Sequence, residues 1–449
     1  MAFAAELNSK PVAGRRSVLA AVPAQTSQSG SGFGHWSPPF ATIACSAMAF
    51  IDASIVNVAL PVLVNDLQAT LSDMQWVIEA YFLFTSSLIL VGGSLGDLFG
   101  RKRIFEIGIA LFTIASLWCG IAGSAAELIA ARALQGIGGA LMVPGSLALI
   151  TALFHGPDRA KAIGVWSGAT AITVSVGPFV GGWLIEALSW RWIFYINLAP
   201  GIIALVLCFL VVPESRPRTA GALDWPGALF ATLSLGALTF GLIEFGGHAF
   251  TDWRVWPPMA LGVLAQLAFL WTQARGSNPM MPLGLFAARP FAGVQAYTFL
   301  LYAGLQGALF FLPFNLMQVQ GFSPVQAGMA LLPFVLMIFL LPSFAGKRLD
   351  RLGARAALTL GAVVAAAGFA LMAVPGTDAP DLTTFLPAAI VLGLGMGLCV
   401  APPTNAAVSA VSPDRAGLAS AINNMVARVG GLIAIAVFGI MLRAQFRAV

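Results

Sequence analysis

Few residues in this chain could do chemistry, and the ones that could sit where charge is costly. The run "MAFIDASIVNVALPVL", residues 48 to 63, carries one carboxylate, Asp52, in an otherwise apolar stretch. Arg132 stands in "AARALQGIGGA", Glu79 in "WVIEAY" and Arg428 in "INNMVARVGG", each surrounded by apolar residues. Acids and bases within apolar spans line pathways or proton relays and need partners. Two readings of Asp52 follow: a neutral carboxyl bonded to a neighbouring helix, or a carboxylate that takes up and releases a proton. Burial and a nearby arginine act on a carboxyl's proton in opposite directions, so an acid subject to both is suited to proton coupling. Asp52 lies nine residues before Pro61, about 13 Å along a helix, and Arg132 stands near the outer end of a later span.

Other reactive residues give no centre. His35, His155 and His248 are scattered without metal-ligand spacing, and Cys45, Cys119, Cys208 and Cys399 all fall in apolar stretches where a thiol packs as a small hydrophobe. No clustered nucleophile, base or metal set supports an enzyme. A non-transporting sensor on the same scaffold is left open by the residues alone.

The elements that position these charges follow from composition. With 59% hydrophobic and only 9% charged residues and a mean hydropathy of +0.88, the chain reads as an integral membrane protein. Lengths near 20 apolar residues indicate helices rather than barrel strands. Thirteen spans are expected near 39–61, 75–96, 104–122, 128–153, 162–186, 192–212, 226–246, 254–272, 291–318, 325–345, 355–374, 383–407 and 416–442. The net charge of +5 reflects topology and not nucleic-acid binding: with residues 1–38 as a disordered cytoplasmic tail, nearly all loop cations fall inside and only Arg191 and Arg254 in outer loops. "RRSVLAAVPA" in that tail is similar to a twin-arginine signal, but its apolar part is short and a polar linker follows.

A repeat tests the count. "GSLGDLFGRKR" holds Gly93, Asp97 and Gly100 at the spacing with which "GKRLDRLGAR" holds Gly346, Asp350 and Gly353. The copies lie eight spans apart, so a duplication of six-span halves requires two inserted spans and fourteen in all. The expectation is a last helix missing beyond Val449, with Arg443 and Arg447 left outside.

These motifs together resemble the major facilitator superfamily, specifically its fourteen-span drug:proton antiporters of the EmrB/QacA type. The loop of Gly93, Asp97, Gly100, Arg101, Lys102 and Arg103 is similar to the superfamily signature, with Leu98 where a basic residue is usual; "IDASIVNVALP", "RALQGIGGA" and "GPFVGG" followed by "WRWIFYIN" are similar to span motifs of that subfamily. The resemblance implies two pseudo-symmetric six-helix bundles, 39–213 and 291–449, with an inserted pair in the linker 214–290. It implies that spans one and four line one cavity, so that Arg132 can pair with Asp52 in proton coupling, and a cytoplasmic gate of Gly93, Asp97, Gly100, Arg101, Arg103 and Asp350; Glu79 is a further coupling candidate from its own place in span two. Asp97 is expected to cap a helix start and pair with an arginine. Gly177, Pro178, Gly181 and Gly182 would form the close contact between the halves. Glu79 and Arg428, unexplained by the resemblance, are expected to form an ion pair closing the outer side. Gln295, Tyr302, Gln306, Asn315, Asn423 and Asn424 are candidate cavity residues. The implied function is proton-driven export of amphipathic compounds across a bacterial cytoplasmic membrane, without cofactor. A facilitator or symporter of a defined solute is the alternative, and an adaptor partner is left open.

Overall fold

The computed structural model describes residues 37–154, 156–215, 224–376, 382–399, 401–411 and 416–448. The expected tail to residue 38, the loop cations Arg216, Arg218 and Arg415, and the side chains of Asp350, Arg443 and Arg447 lie almost wholly outside this description. The first half comprises α1 (Ser37–Asp66), α2 (Leu71–Phe99), α3 (Arg101–Ile121), α4 (Ala125–Leu153), α5 (Gly156–Ala187), the single turn α6 (Trp192–Tyr195) and α7 (Leu198–Val211). The pair α8 (Trp225–Phe245) and α9 (Trp256–Arg275) follows, then α10 (Arg289–Phe314), α11 (Pro324–Met372), α12 (Leu382–Cys399), α13 (Ala401–Ser409) and α14 (Ala416–Ala448). Among the described residues nine helical segments are long and apolar enough to cross a membrane, and the bent α5 is a tenth. With α9 and the shorter apolar segments Pro324–Ile338 and Thr384–Cys399, these occupy the same stretches as the thirteen spans expected from sequence.

One boundary differs. The sequence marks 346–355 as a loop, whereas the backbone is helical throughout α11. That run is not straight: Leu331 and Phe334 near its start line one cavity with Phe369 and Met372 near its end. A straight helix would hold Leu331 and Met372 about 60 Å apart, so the run doubles back and supplies two spans.

Helix starts are set by local chemistry. Thr70 and Asp73 form a reciprocal capping box for α2, Ser323 and Gln326 one for α11, and Ser124 caps α4. Asp224 opens α8 by accepting from Gly227 N at 2.8 Å and ties in the end of α9 by accepting from Gln273 Nε2 at 2.6 Å. The same carboxylate accepts from Met280 N at 3.2 Å, anchoring the segment that leads to α10.

Packing follows the order implied by duplication. In the first half α2 and α3 pack on α4 and α1 packs on α5; in the second α10 packs on α14 and α11 on α12. The halves meet along two seams, α5 with α11 and α2 with α14, and the inserted α8 packs on both α2 and α14. Glycine makes the tight crossings possible. A Cβ at Gly138 would come 2.6 Å from Phe112 N, and one at Gly136 2.5 Å from Tyr81 O. Both glycines belong to "RALQGIGGA", which holds α4 against α3 and α2 and so fixes the position of Arg132.

Candidate functional site: a buried ion pair and its amide shell

Asp52 is fully buried on α1, and Arg132, 1% exposed, reaches it from α4. Arg132 Nη1 lies 2.5 Å from Asp52 Oδ2. Oδ1 of the same carboxylate accepts from Gln135 Nε2 at 2.9 Å and from Asn197 Nδ2 at 3.0 Å. The arginine is held from three sides: Nε donates to Val77 O at 3.1 Å, Nη1 donates to Gln135 Oε1 at 2.7 Å, and the guanidinium lies 4.4 Å from the centre of the Tyr81 ring. Ser116 on α3 closes the shell, accepting from Asn197 and Gln135 and donating to Phe194 O at 3.0 Å. Residues of α1, α2, α3, α4 and the α6–α7 junction therefore build one shell around this carboxylate. An acceptor-only group with three charge-matched or amide donors is an ionised carboxylate, and its charge is balanced within the protein. One proton added to Asp52 would leave a donor without an acceptor and Arg132 without its counter-charge, so the arrangement is sensitive to protonation.

The sequence pairs Asp52 with Arg132, and the structure places them in contact. It does not single out Gln135, Asn197, Ser116 or Tyr81. Gln135 and Asn197 belong to "RALQGIGGA" and "WRWIFYIN", where a lone amide in an apolar run is the signal that marks each. "WRWIFYIN" also fastens the α1–α2 end of the bundle: Trp190 Nε1 donates to Asp66 Oδ2 at 2.6 Å, and Arg191 lies 3.7 Å from that carboxylate.

At the opposite end, Asp97 Oδ1 accepts from Arg101 Nε at 2.9 Å, as a pairing within one turn. The expected cap is made by a different acid. Glu214, following α7, accepts from Lys102 N at 3.1 Å and Arg103 N at 3.3 Å, while Arg101 N donates to Ser215 O. Asp97 lies on the final turn of α2 before Gly100 reverses the chain with φ +112°, a geometry that turns its carboxylate to Arg101 and leaves the α3 N-terminus to Glu214. Lys102 Nζ donates to Phe209 O, and Arg103 is exposed. Gly93 has ordinary contact with Pro144, and its neighbour Gly92 is the tight position, with a Cβ 2.9 Å from the Ala140 carbonyl carbon.

The "GPFVGG" glycines divide between two neighbours. Gly177 abuts Ser54 and Gly181 abuts Ile55, both on α1, within the half. Gly182 abuts the Pro324–Val325 backbone, and Gly328 of α11 abuts the backbone of Pro178 and Phe179, across the seam between halves.

Glu79 and Arg428 are not paired. Among the described residues both Glu79 oxygens are buried without a hydrogen-bond partner, Arg428 included. Glu79 shares a side of α2 with Gln75, one turn away, and Gln75 donates to Ile435 O, nearly two turns beyond Arg428 on α14. Of the cavity candidates, Gln295 and Asn423 bond to each other at 3.2 Å, and Asn423 donates to Thr298 Oγ1 at 2.8 Å, so this polar set joins α10 to α14. Gln306 packs on Gly431, Asn424 is exposed and donates to Ser420 O, and Tyr302 is half-buried against the α10–α12 core. Asn315, in a π-helical turn after α10, lines a cavity of ≈ 230 Å³ within the second half.

Comparison with known proteins accords with this geometry. The chain is 36% identical over 427 residues to the puromycin resistance protein pur8 of Streptomyces alboniger, spanning 94% of this chain and 85% of that one. It is 34% identical to the multidrug resistance protein Stp of Mycobacterium tuberculosis (89% and 74%) and 31% identical to the multidrug transporter protein MdtP of Bacillus subtilis (88% and 73%). The fold is that of a bacterial homolog of the human lysosomal transporter Spinster in an inward-facing conformation, with TM-score 0.66 at 19% identity over 93% of this chain and 85% of that one. It is likewise that of the xylose transporter XylE of E. coli in a partially occluded inward-open conformation, with TM-score 0.61 at 16% identity over 91% and 92%. Residues 42–435 match the Major Facilitator Superfamily, and the chain belongs to that family.

Proposed function

We propose that this protein is a proton-driven exporter of amphipathic organic compounds, working by alternating access in a bacterial cytoplasmic membrane. The observation that carries the reading is the Asp52–Arg132 pair with its Gln135 and Asn197 donors: a balanced, water-excluded ion pair that one proton unbalances. The names of its relatives, which concern antibiotic resistance and multidrug transport, support the substrate class.

In this reading the N-terminus is cytoplasmic, and the α2–α3 turn with Arg101, Lys102 and Arg103 faces the anionic inner leaflet. The α1–α2 end faces outward. Described contacts between the halves, Gly182 with Pro324, Glu186 with Val325 N and Gln75 with Ile435 O, lie toward that outer end, which suits an inward-facing form. A proton entering from outside neutralises Asp52 when the outer seam opens and releases Arg132 from its counter-charge. Closure of the outer side carries the proton inward, where its loss restores the ion pair and lets substrate bind for the outward step. The energy comes from the proton gradient, and no cofactor enters. The same drop in charge at Asp52 is what Asp52→Asn imitates permanently.

The test is transport in everted vesicles from cells expressing the full chain, with a panel of antibiotics and dyes. Addition of a transported compound should alkalinise the acidified lumen, and Asp52→Asn should abolish this response while leaving compound binding intact. Lumen acidification would indicate symport, and unchanged uphill export by Asp52→Asn would remove Asp52 from coupling.

A further inference from the structure

A second acid lies apart from the Asp52 shell. Glu79 is 0% exposed, and among the described residues neither carboxylate oxygen has a hydrogen-bond partner. Its direction follows from its neighbours on α2. Gln75, about 40° away around the helix, bonds α14 at Ile435, while Trp76 and Leu83, about 60° and 40° to the other side, meet α8 at Phe240 and Gly236. Glu79 thus points into the junction of α2, α8 and α14. Two further polar groups belong to this junction. Thr239, next to Phe240 on α8, and Ser86, two turns beyond Glu79 on nearly the same side of α2, are 0% and 1% exposed, and their hydroxyls also lack partners. The surrounding side chains Phe82, Leu83, Leu432 and Ile435 are apolar.

Among the described residues no charge in reach balances a carboxylate there. On α4 Arg132 is committed to Asp52 of α1, on the opposite side of α2, with Tyr81 beneath it. Arg428 of α14 does not pair with Glu79; on α8 the nearest ionisable group, Glu244, lies at the outer end beside His248. Asp73 is spent in the α2 cap, and Asp97, Arg101, Lys102, Arg103 and Glu106 lie at the far end of α2 or on the start of α3. An ionised, unpartnered carboxylate in such surroundings is prohibitively costly, so Glu79 is uncharged in this packing.

We propose that Glu79 is a second titrating group, protonated while α2, α8 and α14 are packed together and deprotonated when the α2–α14 seam parts. The O–H bond of the Glu79 carboxyl breaks, the proton passes to water admitted by the opening, and the carboxylate takes a proton back from that water as the seam closes. The site lies at the seam that alternating access must open and beside the inserted α8. Its use in transport rests on the proton-driven reading above, whereas its titration does not.

The test is infrared difference spectroscopy of the full chain reconstituted in lipid, titrated from about pH 5 to about pH 9. The expected result is loss of a protonated-carboxyl C=O band with rising pH that is absent in Glu79→Gln and kept in Asp52→Asn, and that returns at a shifted position in Glu79→Asp. A pH difference spectrum of Glu79→Gln identical to that of the unsubstituted protein would overturn the proposal, because Glu79 would then hold its proton throughout. Titration of Glu79 alongside full export by Asp52→Asn would overturn the coupling role of Asp52 and leave the second site standing.

Discussion

Arg132 on α4 reaches Asp52 on α1 across 80 positions of sequence, and the two charges are 1% and 0% exposed. The pair is therefore the kind of interaction whose partial loss costs more than its whole loss. Removing one member of a buried pair strands the other charge, at about 3–5 kcal/mol, while replacing both with apolar residues is often close to neutral. Asp52→Leu and Arg132→Leu should each lower thermal stability in detergent by about that amount, and the double variant should be more stable than either. The double variant should still be inactive in export, since it has no group that takes a proton. Additive destabilisation in the double variant would show that the two charges are not energetically joined.

Cost makes each of these two charges legible, since an acid and a base in apolar runs need partners, and the family resemblance, which sets spans one and four side by side, joins them. The spans were legible for a similar reason, since a bilayer sets their length. The amide shell was not. Gln135 and Asn197 are neutral and carry no burial signature until these segments are brought together, and Ser116 is ordinary in any helix. Glu79 and Arg428 show the limit of the cost argument: each needs company, but the sequence cannot tell which face of α2 or which turn of α14 either residue occupies. The cap of α3 was missed because the acid that makes it, Glu214, comes from more than 110 positions along the chain.

That cap makes a prediction about the signature turn. Gly100 has φ +112°, open in practice to glycine alone, and a Cβ there would lie 2.6 Å from the Glu214 carboxyl. Gly100→Ala should combine about 1–3 kcal/mol of backbone strain with displacement of the cap. Glu214→Gln keeps the shape and loses the charge at the helix start, costing about 0.5–2 kcal/mol. In the Gly100→Ala background the Glu214→Gln change should cost less, because the cap is already displaced. Thermal unfolding of the four proteins measures this, and strict additivity would mean that Gly100 does not serve the Glu214 contact.

The glycines of "GPFVGG" separate packing within a half from packing between halves. A Cβ at Gly181 would meet the Ile55 side chain and its carbonyl, and one at Gly177 the Ser54 side chain, and side chains can turn aside at modest cost. A Cβ at Gly182 would lie 2.7 Å from the Pro324 carbonyl carbon and 2.9 Å from Val325 Cα, and backbone cannot turn aside. Gly177→Ala should therefore leave export nearly unchanged, whereas Gly182→Ala forces α5 and α11 apart at the α1–α2 end, at about 1–3 kcal/mol of overpacking. That penalty falls on the form in which the seam is closed and is absent where it is open, so about 2 kcal/mol would shift the balance roughly thirtyfold toward opening at that end. Distances between spin labels placed at the outer ends of α5 and α11 should lengthen in Gly182→Ala and stay as they are in Gly177→Ala, with export reduced only in the former. An unchanged distance distribution in Gly182→Ala would mean that the contact between Gly182 and Pro324 is not part of the seam that opens.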